Sequence, residues 1–230
     1  THDHADDHAT GSDESIEPIV AQDVQITLPP TAFAFNLHSK QGAARVIYLD
    51  FNGHTVTGKE WNTLRQVSSF VQAPFDLDNA PGSFNEAERE FILQTWRIVA
   101  NDFASFDVNV TTEQPSDLST IGAYVVISPS NMVAICGSCG GIAYLNSFSA
   151  LNARYQPSFT FTTSNSTPVQ VAGTISHEVG HQFGLNHDGH TNGDEYYDGH
   201  GFWNSIMGSG SQPIQHWSKG EYSGANNRED

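Results

Sequence analysis

His177-Glu178-Val179-Gly180-His181-Gln182-Phe183-Gly184-Leu185-Asn186-His187-Asp188 is the stretch whose reading decides the rest of this chain. On a helix, His177 and His181 stand four residues apart, so both imidazoles leave the same face about one turn apart. That separation lets two ring nitrogens meet one metal ion at about 2.0–2.1 Å. Gly184 lets the chain leave the helix through the left-handed conformation, and the turn carries His187 back as a third ligand. Three neutral imidazoles leave a tetrahedral zinc one open position for water, the catalytic rather than the closed structural pattern. Glu178 stands beside the ligands without binding and is placed to take the proton from that water. A bare HExxH string arises by chance in many chains. The third His, the Gly at the turn and the following Asp make the pattern far more restrictive. The bland alternative, satisfied surface histidines on an ordinary helix, needs all of these residues in place by accident. His190 and His200 lie close in sequence to His187 and are its rivals as third ligand.

The 230 residues are enough for one large domain, or one domain and a tail, with a substantial core. Nine Lys+Arg against 26 Asp+Glu give a formal charge of −17, a surface that repels nucleic acid and anionic membrane and excludes both as partners. No apolar run approaches the ~20 residues of a membrane span. No export signal is present, and numbering from Thr1 is the expectation for a processed, secreted form.

The two cysteines fall in Ile135-Cys136-Gly137-Ser138-Cys139-Gly140. A tight disulfide, a redox pair and half of a metal site compete. A redox pair would open a helix after a strand in a βαβ setting, which the sequence lacks, and no further ligands follow at zinc-knuckle spacing. A disulfide bracing a loop is the favoured reading, in an oxidising compartment. The sequons Asn109-Val-Thr111 and Asn165-Ser-Thr167 are read as incidental.

Residues 1–20 contain three histidines and six acids without Lys or Arg and read as a solvated tail. Residues 21–40 are expected to lie against the domain as an extended arm, and the folded domain to begin near Ala43. Arg45 to Asn52 reads as a strand ended by Asn52-Gly53. Ser83-Phe-Asn-Glu86 resembles a capping box that opens a helix to about Phe103, with Ile92, Trp96, Val99 and Phe103 forming its apolar stripe. Strands are expected at about 106–112, 122–128, 141–148 and 158–163. Pro168 suits the first turn of the next helix after Ser166 or Thr167 as cap. In that helix Ala172, Ile175 and Val179 face the core and the two histidines face a cleft. A final helix is expected around Ile214 to Tyr222. The order of elements indicates an α/β chain, a mixed sheet with helices packed on it.

His177 to Asp188, with Ser205-Ile206-Met207-Gly208, resembles the metzincin zinc endopeptidases. The Asp after the third His is most similar to the adamalysin/reprolysin branch. The resemblance implies a twisted mixed five-stranded sheet, two long helices with the active-site helix at the cleft, and a small irregular C-terminal subdomain with a Met turn. By composition, residues 1–41 are expected to form an acidic, His-rich N-terminal arm, a candidate prosegment remnant. A catalytic domain over 42–230 would follow, divided into an upper part to 184 and a lower part from 185. His177, His181 and His187 would hold zinc, with Glu178 as general base and acid and Met207 in a tight turn beneath the metal. Asp188 would be structural and tie the third-ligand region to the C-terminal part. Gly141, Ile142, Ala143 and Tyr144 would open the edge strand on which a polypeptide substrate lies extended, and residues 209–217 would wall the main specificity pocket. The chain is expected to act as a monomer. Ser209 stands where astacins and serralysins place a ligating Tyr, so that extra ligand is missing. Adamalysins proper carry more cysteines, which points to a bacterial-type relative. Calcium is common among secreted relatives, and Asp188, Asp194, Glu195 and Asp198 are its candidates. No recognised calcium loop is present, and an acidic surface is the better reading. A zinc-bearing binding or adhesion module without proteolysis is the alternative function, against which Glu178 stands.

Overall fold

The structure, a computed structural model, describes residues 29–226 except 120, 131, 149, 210 and 211. The His-rich tail expected over 1–20 lies outside them. In chain order the elements are β1 (Arg45–Asp50), β2 (His54–Thr57), α1 (Glu60–Arg65), β3 (Ser69–Gln72), α2 (Glu86–Asp102), β4 (Val108–Thr111) and β5 (Ala123–Ser128). Then come α3 (Val133–Cys136), β6 (Gly141–Ile142), β7 (Ser158–Phe161), α4 (Pro168–Phe183), β8 (Trp203–Ser205) and β9 (Ile214–His216).

Five strands form one sheet in the order β4-β1-β5-β7-β6. All neighbours in it run parallel except β6, which pairs antiparallel with β7 at the edge. The mixed five-stranded sheet expected from the resemblance is therefore present. Successive side chains of a strand face opposite sides, and both sides are buried here. Ile47 and Leu49 of β1, Val110 of β4 and Val125 and Ile127 of β5 point toward α2 and α4. Tyr48, Tyr124, Val126 and Phe159 point the other way, onto Trp61 of α1 and Val56 of the β2-β3 hairpin.

Both long helices begin where local chemistry lets them. The cap of α2 is Asn85, whose side chain accepts from Glu88 N at 2.9 Å while Glu88 returns a bond to Asn85 N. The capping box thus lies two residues beyond the one expected at Ser83. In α4, Thr167 and Gln170 form the same reciprocal pair and Pro168 takes the first helical position. Gly173 and Gly180 each cost the helix about 1 kcal/mol relative to Ala. Burial of Val171, Ile175 and Val179 contributes about 1.5–3 kcal/mol each, so packing on the sheet, not propensity, holds α4 in place.

Three expectations are corrected. Ile214 to Tyr222 is not a helix: β9 pairs parallel with β8, and the chain turns after it. Pairing with β8 and the bond from Ile206 N to His216 O take this run instead. The edge strand expected over 141–148 has only two residues, Gly141 and Ile142. Residues 31–33 form a 3-10 turn rather than extended chain, and Ala34 and Leu37 are buried in the core.

An aromatic cluster clamps the C-terminal segment to the helices. Phe103 lies 5.3 Å from Trp217 and 6.0 Å from Phe183, and Phe148 stacks on Phe183 at 4.0 Å. Beside it Asp102 joins α2 to α4. Its carboxylate accepts from Ser176 Oγ at 2.7 Å, and its backbone oxygen accepts from Trp217 Nε1 at 2.7 Å. Burial pushes the Asp102 carboxyl up to about 6, opposed by the Ser176 bond and by His216. A carboxyl raised by folding favours the protonated native state, so stability is greatest below the unfolded value and declines as pH rises through about 6. Asp102→Asn keeps an acceptor for Ser176 and removes the charge. It should stabilise the protein by about 1–2 kcal/mol at pH 7.5 and by nearly nothing at pH 4, read as thermal midpoints at the two pH values.

Candidate metal and catalytic site

The turn that ends α4 builds half of the site. Gly184 adopts φ 101°, the left-handed cap, and Leu185 N bonds back to Gly180 O at 3.0 Å. That reversal brings the Leu185 carbonyl over the helix end, where it accepts from His181 Nδ1 at 2.8 Å. His177 Nδ1 bonds to Ile206 O at 2.8 Å, and His187 Nδ1 to Glu195 Oε1 at 2.9 Å. Carbonyls and carboxylates only accept, so each Nδ1 carries the proton and each Nε2 presents a lone pair.

The three lone pairs converge. One ligand atom from each of His177, His181 and His187 lies within 4.8 Å of the others. The Nε2 atoms of His181 and His187 are 3.0 Å apart. Two nitrogens bound to one zinc at about 2.0–2.1 Å and a tetrahedral angle would be separated by about 3.3 Å. Two lone pairs facing one another repel unless a cation lies between them, so the donor set fits zinc. Burial holds the His177 imidazole down near 3, helped by its histidine neighbours, and burial lowers His181 as well. Burial thus holds both rings toward the neutral form that metal ligands need. His190 and His200 stand outside this group. His190 packs against Tyr197 and Tyr222, and His200 Nδ1 meets the Tyr197 hydroxyl.

Glu178 lies on the same helix and points into the cleft. It is only 5% exposed, and its Oε2 has no hydrogen-bond partner. Burial alone pushes its carboxyl up to about 8, and a divalent cation on the adjacent histidines would favour the ionised form. Gly141 of β6 faces it so closely that a Cβ there would lie 2.5 Å from Glu178 Oε1. A cavity of about 330 Å³ opens between β6, α4 and the C-terminal segment, lined among others by Gly141, His177, Glu178, Tyr196 and Gln215.

Below the histidines, Met207 is buried and packs on Gly180, where any Cβ would collide with its Sδ. Asp188 is fully buried, and its backbone joins the third-ligand region to the C-terminal segment. Its N–H donates to Met207 O at 2.9 Å, and its carbonyl accepts from Tyr197 N at 2.6 Å. At the edge strand, Gly141 and Ile142 pair with Thr160 and Phe159. Ala143 and Tyr144 follow outside the strand, and the Tyr144 ring turns away onto Trp61 at 4.3 Å. Cys136 and Cys139 are joined in a disulfide three residues long in separation, directly before β6, and Cys139 lines the cavity. The calcium candidates do not converge: Glu195 holds His187, Asp198 accepts from Ser209, and Asp194 from Asn192. Outside the histidines, the acidic group of described residues with ligand geometry is Asp76, Asp78 and Glu88.

Glu195 and Tyr196 are the residues that sequence reasoning did not place at the site. Tyr196 lies with its ring centroid 4.0 Å from that of His187, and burial raises its phenol, with Glu195 and Glu178 adding to the rise. In the sequence Glu195 stands out only as one of the calcium candidates; eight residues beyond His187, it carries no spacing rule that would tie it to the third histidine. Because it fixes the tautomer of the third ligand, Glu195→Ala should weaken zinc affinity about 10–100-fold with the fold intact, measured by competition with a chromogenic chelator.

Comparison with known proteins agrees with this geometry. Residues 91–188 match the model of the reprolysin-like members of metallopeptidase family M12B. The match runs from the middle of α2 to Asp188 and so contains the whole histidine group. No curated protein matches the chain. The matched segment contains the three histidines that the fold brings together, so over residues 91–188 the chain is similar to the reprolysin-like metallopeptidases of family M12B, and the match and the histidine group together support a zinc metallopeptidase.

Proposed function

We propose that the protein is a secreted endopeptidase in which Glu178 acts first as general base and then as general acid. The observation that carries this reading is the unpartnered, buried Oε2 of Glu178 beside three converging histidine lone pairs. A buried carboxylate oxygen without a partner is costly, and such groups are retained where they do chemistry. The formed disulfide and the absence, among the described residues, of any helix able to cross a membrane are consistent with an exported protein.

His177, His181 and His187 would hold zinc, which would supply Lewis acidity to polarise the scissile carbonyl and bring the pKa of water toward neutral. The chain does the rest. Glu178 Oε2 takes the proton of the attacking water as the carbon–oxygen bond forms. The same oxygen then hands that proton to the amide nitrogen as the carbon–nitrogen bond breaks, so acid and amine leave with the charge balanced. The histidines keep their protons on Nδ1 throughout, held by Ile206, Leu185 and Glu195. Substrate lies extended along Gly141 and Ile142, whose outer edge offers backbone groups for strand addition. Short loop separation means the disulfide shapes the approach to this strand more than it stabilises the fold. Asp188 and Met207 hold the floor of the site and take no part in proton transfer.

Glu178→Gln should retain one zinc per chain and lose about 10³-fold in turnover of a casein or peptide substrate, since general-base catalysis supplies roughly 10²–10⁴. Near wild-type turnover in the metal-loaded variant would remove Glu178 from the mechanism, and an equally inactive wild-type protein would favour a binding module. Gly141→Ala places a methyl against Glu178 and should lower kcat at least 10-fold without changing zinc content. If it left kcat untouched, the close approach of β6 to Glu178 would be incidental to the reaction.

A further inference from the structure

Hydrolysis of an amide places negative charge on the former carbonyl oxygen, and catalysis gains most from a fixed donor at that point. The cavity beside Glu178 offers few near the histidines, since the amides of Gln170 and Gln215, which also line it, sit in the first turn of α4 and against Gly173. None of its lining residues is a Lys or Arg. The Asn204 amide donates to Ser205 O, Thr174 Oγ1 to Gln170 O, and Ser209 Oγ to Asp198. Each of these donors is committed within the protein.

Tyr196 is not. Its side chain lines the cavity with His177 and Glu178, and its hydroxyl makes no hydrogen bond to a described residue. Its ring lies over His187 with centroids 4.0 Å apart and 6.4 Å from that of His177. Both neighbours are fixed to the site. Glu195 holds His187 Nδ1, and Tyr197 is bound through its N–H to Asp188 O and through its carbonyl to Ser209 N at 3.1 Å. The phenol is therefore placed by the same loop that orients the third ligand, and a phenol keeps its proton well above neutral pH.

We propose that Tyr196 is a catalytic residue that donates its hydroxyl hydrogen bond to the oxygen of the tetrahedral adduct. The inference rests on the zinc-peptidase reading above. The hydroxyl keeps its proton throughout the cycle, so no bond to Tyr196 forms or breaks. Its contribution is confined to the charge that develops between substrate and adduct, and the ground-state carbonyl gains little from it.

Tyr196→Phe keeps the ring over His187 and removes only the donor. With zinc content equal to wild type, kcat on a peptide should fall about 10²-fold while KM stays within threefold. Affinity for a non-cleavable phosphinic peptide, whose tetrahedral oxyanion imitates the adduct, should fall in proportion to kcat/KM when measured by calorimetry. Binding of the uncleaved substrate to Glu178→Gln should be the same with and without the Tyr196 hydroxyl. Unchanged phosphinic affinity, or equal losses of substrate and phosphinic binding, would reduce Tyr196 to a wall of the cleft. Loss of zinc from Tyr196→Phe would likewise overturn the assignment and make the residue a support for His187. Wild-type turnover no higher than that of Glu178→Gln would instead dismiss the peptidase reading itself.

Discussion

Three imidazole lone pairs can meet at one point only if each ring is held by its other nitrogen, and this constraint organises the molecule. His181 is held by the carbonyl of its own helix cap, His177 by Ile206 on the far side of the cleft, and His187 by Glu195 in the loop beyond. Three separate stretches of chain must therefore be fixed relative to α4. The Met207–Asp188 backbone bond and the Phe103–Phe183–Trp217 cluster supply that fixation. The sheet and α2 serve the same end, since they bury the apolar face of α4 and leave its histidine face to the cleft.

Much of this was legible in the sequence because it is local. The four-residue spacing of His177 and His181, the Gly184 stop and the Thr167-Pro168 start are all properties of a single helix, and the helix forms where they place it. The central strands β1 and β5 carry near-continuous apolar runs and β4 and β7 alternate, all bounded by turn residues, and these too stand out. What escaped depends on partners distant in sequence. Ser176 and Asp102 are separated by 74 positions and give no pattern. The β9 segment has no strand alternation, and its conformation comes from pairing with β8. Glu195 and Tyr196 lie in a polar loop whose course is set by backbone bonds to Asp188 and Ser209, and nothing local in the residues announces it.

The site is assembled at some cost to the elements that carry it. Gly141 weakens an already minimal edge strand so that Glu178 can approach it, and Gly180 weakens the helix so that Met207 can lie beneath the histidines. Glu178 is buried without a partner for Oε2, an expense that a purely structural helix would avoid. Local rules are broken at the positions where the chemistry is placed and kept elsewhere.

Gly173 has a different consequence. On α4 one turn before His177, it faces the side chain of Gln215 across the cavity, and any Cβ there would strike the Gln215 amide. The two positions form one wall from opposite sides. A larger residue at 173 would push the flexible end of Gln215 aside, so a single replacement on the helix would reshape the opposite wall of the cleft. In a lineage descended from this protein, cleft shape could thus change through position 173 without any exchange at 215, 42 positions further along the chain.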